Sequence, residues 1–95
     1  RIQIYCSRLS KLGVNTINEK RLIRLIKDRG NKDAAGELVK LYYKDIFIYV
    51  LKQTSDEELS KDLTQDIFIS MLKSIDRFDE TKASFKTWLY KIASN

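Results

Sequence analysis

The chain has 95 residues, 43% hydrophobic and 33% charged, with 3 Gly, no Pro and a formal net charge of +5. That length suits one domain with a modest core and leaves no room for a large enzyme cleft. The composition favours helices with few irregular segments, and no apolar run approaches the roughly 18 residues that a membrane span needs. The N-terminal RIQIYCSRLSKLG lacks the continuous apolar segment of a secretory signal. A single Cys6 forms no internal disulfide, which suits the cytoplasm. Without His the chain lacks the commonest general base, and one Cys builds no thiolate zinc site. No phosphate-cradling glycine loop, paired-cysteine motif or nucleophile elbow occurs. The carboxylates fall on expected surfaces without a pocket to shift their pKa. The expectation is a non-enzyme with no metal and no cofactor.

Charge is unevenly spread. Residues 1–52 carry 12 basic and 5 acidic side chains, residues 53–66 carry 1 and 5, and residues 67–95 carry 5 and 3. Basic faces suit nucleic acid, and a concentrated acidic patch suits a basic protein surface; solvated faces of mixed charge are the plainer account.

Residues 1–17 read as an N-terminal tail or an extra helix. Ile2, Ile4 and Cys6 alternate like a strand, Tyr5, Leu9 and Leu12 fit a weak helix, and a lone strand has no partner here. Gly13 and Asn15 break whatever precedes them. Asn18 then caps a helix that runs to Gly30, with Leu22, Ile23, Leu25 and Ile26 as its apolar stripe and a solvated basic face of Lys20, Arg24 and Lys27.

Asn31 or Asp33 starts a longer helix, through Gln53. Leu38, Leu41, Tyr42, Ile46, Tyr49 and Val50 recur at steps of three and four, with Phe47 and Ile48 beside them, so this helix should be central and buried. Gly36 within it permits close helix packing. Its aromatics could stack bases, but core packing accounts for them more simply.

A third helix covers 55–75. Thr54 or Ser55 caps it, Ser55 and Glu58 have the spacing of a capping box, and Asp56 and Glu57 suit the positive end of the helix dipole. Leu59, Leu63, Ile67, Met71 and Ile75 form a four-step stripe, widened by Phe68 and Leu72. Asp62, Gln65, Asp66 and Ile69 lie on another, exposed face. Asp62 and Asp66 are like charges one turn apart, which slightly destabilises a helix. The pair is either merely solubilising or aimed at a cationic partner.

Residues 76–84, DRFDETKAS, form a loop rich in turn formers, and Ser84 caps a last helix from Phe85. Phe78 anchors the loop to the core or lines a pocket. Phe85, Trp88, Leu89 and Ile92 face inward, with Lys82, Lys86 and Lys91 outside. Cations interleaved with rings are what single-stranded nucleic acid requires, and also what an ordinary surface helix displays.

At 62–95 the residues match a known pattern: Asp62, Leu63, Gln65, Asp66 and Phe68; then Asp76, Arg77, Phe78 and Asp79; then Ser84, Phe85, Trp88, Leu89, Lys91, Ile92, Ala93 and Asn95. This run of 34 residues closely resembles region 2 of the sigma-70 family of bacterial RNA polymerase sigma factors, most of all the extracytoplasmic-function group. Weaker similarity reaches back to about Asn18, so the resemblance assigns 18–95 to the domain and leaves 1–17 outside it.

The resemblance implies an all-α bundle of about four helices. It implies that Asp62, Gln65, Asp66 and Ile69 dock on the clamp helices of the polymerase beta-prime subunit. The family more often has Glu where this chain has Asp66, a reach one carbon shorter. It further implies that Phe78, Lys82, Ser84, Phe85, Lys86, Thr87, Lys91 and Asn95 hold the single-stranded, non-template strand of the −10 promoter element. An anti-sigma factor is another partner the resemblance suggests, and no membrane is implied. Family members usually continue the last helix with basic residues and carry a second helix-turn-helix domain, so a fragment ending at Asn95 should bind polymerase but direct transcription poorly alone. The alternative is a helical protein-interaction module with no DNA role.

Overall fold

The structure is a computed structural model and describes residues 11–94. It contains helix α1 (Lys11–Arg29), α2 (Lys32–Thr54), α3 (Glu57–Ser74), a 3₁₀ turn (Ile75–Arg77) and α4 (Phe85–Ser94). Among the described residues there is no strand, and the all-α class matches the expectation. The expected DNA contact at Asn95 and the alternating stretch Ile2–Cys6 lie outside the described residues.

Helix α1 begins at Lys11, not at Asn18, and runs through Gly13 and Asn15. Both were expected to break the chain. Each is only a weak breaker, at about 1 kcal/mol or less relative to Ala, and no Pro interrupts the backbone ladder. The chain divides into two compact units that part between Leu38 and Val39.

In the first unit Leu22, Ile23, Ala34 and Leu38 are buried. Helix α1 stops at Gly30, whose φ of +60° only glycine adopts freely, and whose N–H donates to the Ile26 carbonyl at 2.9 Å. Asn31 opens α2, its Oδ1 accepting from the Ala34 N–H at 3.0 Å. Gly36 does not serve close packing as expected. It is exposed, and a Cβ there would meet nothing within 4 Å.

In the second unit Ile46, Val50, Phe68, Met71, Ile75, Phe78, Phe85 and Leu89 form the core. Helix α2 reaches both other helices through its tyrosines. Tyr43 stacks on Phe68 at 6.0 Å, Tyr42 meets Phe85 at 5.4 Å, and Tyr49 meets Tyr90 edge-on at 5.2 Å.

The α2–α3 junction corrects the expected capping box. Ser55 closes α2 in the left-handed region, φ 58°, with its N–H on the Leu51 carbonyl at 2.8 Å. The cap of α3 is therefore Asp56, whose Oδ1 accepts from the Leu59 N–H at 3.1 Å. Asp serves a helix N-terminus as well as Ser does, and the left-handed turn at Ser55 hands the position to its neighbour.

Candidate functional site

Helix α3 is rotated from its expected setting. The inward positions are Ser60, Thr64, Phe68, Met71 and, in the turn that follows, Ile75. Leu59, expected in the core, is 45% exposed, and Leu63 and Ile67 are half-buried. The large Phe68 ring seated on Tyr43 sets this rotation, and two small polar side chains occupy the positions a turn or two before it. The Ser60 hydroxyl lies 2.7 Å from that of Thr54. The Thr64 Oγ1 is buried and meets no hydrogen-bond partner among the described residues.

The outer side of α3 carries the four expected docking residues. Asp62, Gln65 and Asp66 are exposed, and Ile69 is 50% exposed. Steps of three and four residues bring them to neighbouring positions on one side of the helix. The rotation adds Leu59 to this side, where two exposed aliphatic residues now flank the carboxylates. Sequence reasoning missed Leu59 because a four-step apolar stripe is the ordinary signature of a core.

The loop and α4 divide their expected DNA residues into two layers. Phe78 is 5% exposed and Phe85 2%. Their rings meet edge-on at 5.5 Å, with Trp88 5.1 Å from Phe78 and 5.8 Å from Phe85. Phe78 is thus packed among the rings of the core. Above this aromatic layer Lys82, Ser84, Lys86, Thr87 and Lys91 are all exposed.

Local hydrogen bonds hold that outer layer. The Phe78 N–H closes the 3₁₀ turn on the Ile75 carbonyl at 3.0 Å. The Asp79 carboxylate accepts from the Thr81 N–H at 2.9 Å and from its hydroxyl at 2.6 Å, and the Lys82 N–H reaches the Asp79 carbonyl at 3.0 Å. Ser84 caps α4 as expected: its Oγ accepts from the Thr87 N–H at 3.2 Å and lies 3.0 Å from Thr87 Oγ1.

A tyrosine network ties the far end of α4 to α2. The Tyr49 hydroxyl lies 2.9 Å from Ser94 Oγ, which donates to the Tyr90 carbonyl at 2.9 Å. Burial raises the Tyr90 pKa above its usual 10.0, aided by the negative charge of Asp45 and by Tyr49. The hydroxyl partners are 45 residues apart, and no local pattern announces them.

A cleft of about 370 Å³ opens beside this network, between the C-terminal ends of α2 and α4 and the middle of α3. Val50, Leu63, Ile67 and Ile92 contribute apolar walls, and Asp66 is its ionisable residue. Asp66, exposed on α3 as expected, also lines this cleft. Three helix segments distant in sequence make the cleft, so only their packing reveals it. Among the described residues no group of His, Cys, Asp or Glu could hold a metal ion, and no helix is long and apolar enough to cross a membrane.

The family described as sigma-70 region 2 matches residues 38–95. RNA polymerase sigma factor YlaC of Bacillus subtilis (strain 168) is 36% identical over 63 residues, covering 66% of this chain and 36% of that protein. ECF RNA polymerase sigma factor SigM of the same organism is 32% identical over 59 residues, 62% of this chain and 35% of that protein. ECF RNA polymerase sigma factor RpoE of Cereibacter sphaeroides is 27% identical over 74 residues, 78% and 41% respectively. The matches thus span 35% to 41% of the length of these curated relatives. No solved structure matches the chain significantly.

Proposed function

The chain belongs to the sigma-70 region 2 family, of the extracytoplasmic-function type, and from that membership we propose that it acts in bacterial transcription initiation. Its role is to join the RNA polymerase core to the −10 promoter element, in the cytoplasm and without catalysis of its own. Asp62, Gln65, Asp66 and Ile69 dock on the beta-prime clamp helices. Lys82, Ser84, Lys86, Thr87 and Lys91 meet the non-template strand, with Asn95 beside it. Phe78 and Phe85 contribute from beneath, by holding the loop and the first turn of α4 in place. An anti-sigma factor would compete for the same surfaces.

The observation that carries this reading is the separation of two exposed faces on one packed pair of helices. The acidic face of α3 has its side chains free of the core, while the loop and α4 set cations over a packed aromatic layer. Carboxylates favour a basic helix, and lysines favour phosphates. Opening a base from its stack costs a few kcal/mol, which phosphate and base contacts must offset.

Titration of isolated beta-prime clamp helices against the parent and Asp62→Lys tests the docking face. A loss of tenfold or more is expected, and equal binding by both proteins would remove the assignment. For DNA, fluorescence anisotropy should show preference for the non-template −10 strand over its complement, weakening as salt rises. The alternative, a protein-interaction module without DNA binding, draws its support from the burial of Phe78 and Phe85, which keeps both rings from stacking on bases. Clamp binding with no affinity for either strand at low salt would favour that alternative.

A further inference from the structure

We infer that Tyr49, on α2, is a positioning residue for strand binding: its hydroxyl holds the last turn of α4, and Lys91 with it, at the setting from which α4 meets the non-template strand. The inference rests on the DNA reading above and adds to it a residue that itself touches no nucleic acid. Helix α4 has 10 residues, a length that is marginal for a helix in isolation, so both of its ends depend on contacts with other elements. Its first turn has the Ser84 cap and the Phe85 ring against Tyr42 and Phe78. Its last turn is less enclosed, with Ile92 and Ala93 half-buried and Lys91 and Ser94 exposed. There the tie to α2 is made by hydroxyls.

Counting protons gives this tie a direction. A serine hydroxyl has one hydrogen, and that of Ser94 goes to the Tyr90 carbonyl at 2.9 Å. In the 2.9 Å contact between Tyr49 and Ser94 the donor is therefore the tyrosine. The result is a chain from the Tyr49 O–H to Ser94 Oγ to the Tyr90 C=O, whose members polarise one another. The Tyr49 ring already packs edge-on against Tyr90 at 5.2 Å, and phenylalanine would supply the same packing. What the hydroxyl adds is a fixed position for the helix end. An exposed hydrogen bond contributes little to global stability, but it opposes fraying at a terminus, where local opening is cheapest. Lys91 lies in this turn, and Asn95 follows it in the sequence.

The test is a double-mutant cycle of Tyr49→Phe and Ser94→Ala in the full chain, read by fluorescence anisotropy on a labelled single-stranded DNA of randomised sequence at low salt. Each single variant should lose about threefold or more in affinity, and the double variant no more than the weaker-binding single, because both remove one shared link. Thermal midpoints should stay within about 2 °C of the parent, and the salt dependence should keep its slope, since no cation is removed. Ser94→Thr keeps a hydroxyl and should bind as the parent does. Tyr43→Phe removes a hydroxyl from α2 on the side of Phe68 and should also bind as the parent does. Additive losses, parental affinity in both single variants, or an equal loss from Tyr43→Phe would overturn the inference. Amide hydrogen exchange separates it from the DNA reading: Tyr49→Phe should speed exchange in the last turn of α4 and leave the first turn unchanged. Unchanged exchange would overturn the positioning role whatever the DNA result. Faster exchange in a protein whose parent binds no strand would instead overturn the DNA reading and reduce the link to a contact of the fold.

Discussion

Helices α3 and α4 pack against one another and use opposite economies of side chains. Helix α4 puts Phe85 and Leu89 inside and leaves Lys86 and Lys91 outside, so its apolar and charged residues sort cleanly. Helix α3 buries Ser60 and Thr64 and exposes Leu59 and Ile69. On its exposed side Leu59 and Ile69 lie beside the carboxylates, as single aliphatic residues do on many surfaces. A helix that buries hydroxyls has accepted a desolvation cost to place its large ring, Phe68, where Tyr43 receives it. The contrast teaches that α4 sorts its side chains by polarity, whereas α3 mixes them on both sides.

The largest effect that would sharpen this contrast is in α4. Phe85→Ala should cost about 3–5 kcal/mol, because it removes a ring packed on Tyr42, Phe78 and Trp88. The thermal midpoint should fall by 12 °C or more, at roughly 4–8 °C per kcal/mol for a domain of this size. Leu59→Ala in α3 should cost under about 1 kcal/mol in the same melting experiment. Comparable losses would mean that Leu59 is covered and that the two helices do not differ in this way.

Thr64→Val should stabilise the protein by about 1–2 kcal/mol, since the buried hydroxyl has no described partner and valine keeps the branched shape. Urea denaturation measures it, and a loss of stability would show that the hydroxyl is satisfied and α3 not compromised inside. Ser55→Gly should gain about 1 kcal/mol by relieving the left-handed backbone that ends α2 before α3 begins. An unchanged midpoint would place no strain at that junction.

The smallest effect concerns pH. Tyr90 is raised above its usual 10.0 in the folded chain, by burial first and then by Asp45 and Tyr49. Its contribution to stability is complete below pH 10.0 and is lost as pH rises through the folded value. Tyr90→Phe should therefore flatten the alkaline decline of stability in denaturation series run from neutral pH upward. A decline of the same slope in the variant would assign it to other groups.

Much of this was legible in the residues. The helical class, the loop at 76–84, the Ser84 cap and the exposure of Asp62, Gln65, Asp66 and Ile69 follow from period, turn chemistry and capping. Each of these is a local property, carried by residues within a turn or two of one another. The family pattern in 62–95 was legible for the same reason, as an ordered set of nearby residues. What failed were inferences from weak local rules: Gly13 and Asn15 did not stop α1, and Ser55 yielded its cap to Asp56.

Tertiary structure decided the rest. Which way α3 turns depends on the seat that Tyr43 offers Phe68, a contact between residues 25 positions apart. When both sides of a helix carry apolar residues, period alone leaves the rotation open, and packing volume chooses it. The burial of Phe78, the Tyr49–Ser94 link and the cleft at Asp66 likewise arise where separate helices meet. The sequence by itself determined the helices and the composition of their surfaces. Only the packed rings determined which of those surfaces remained exposed.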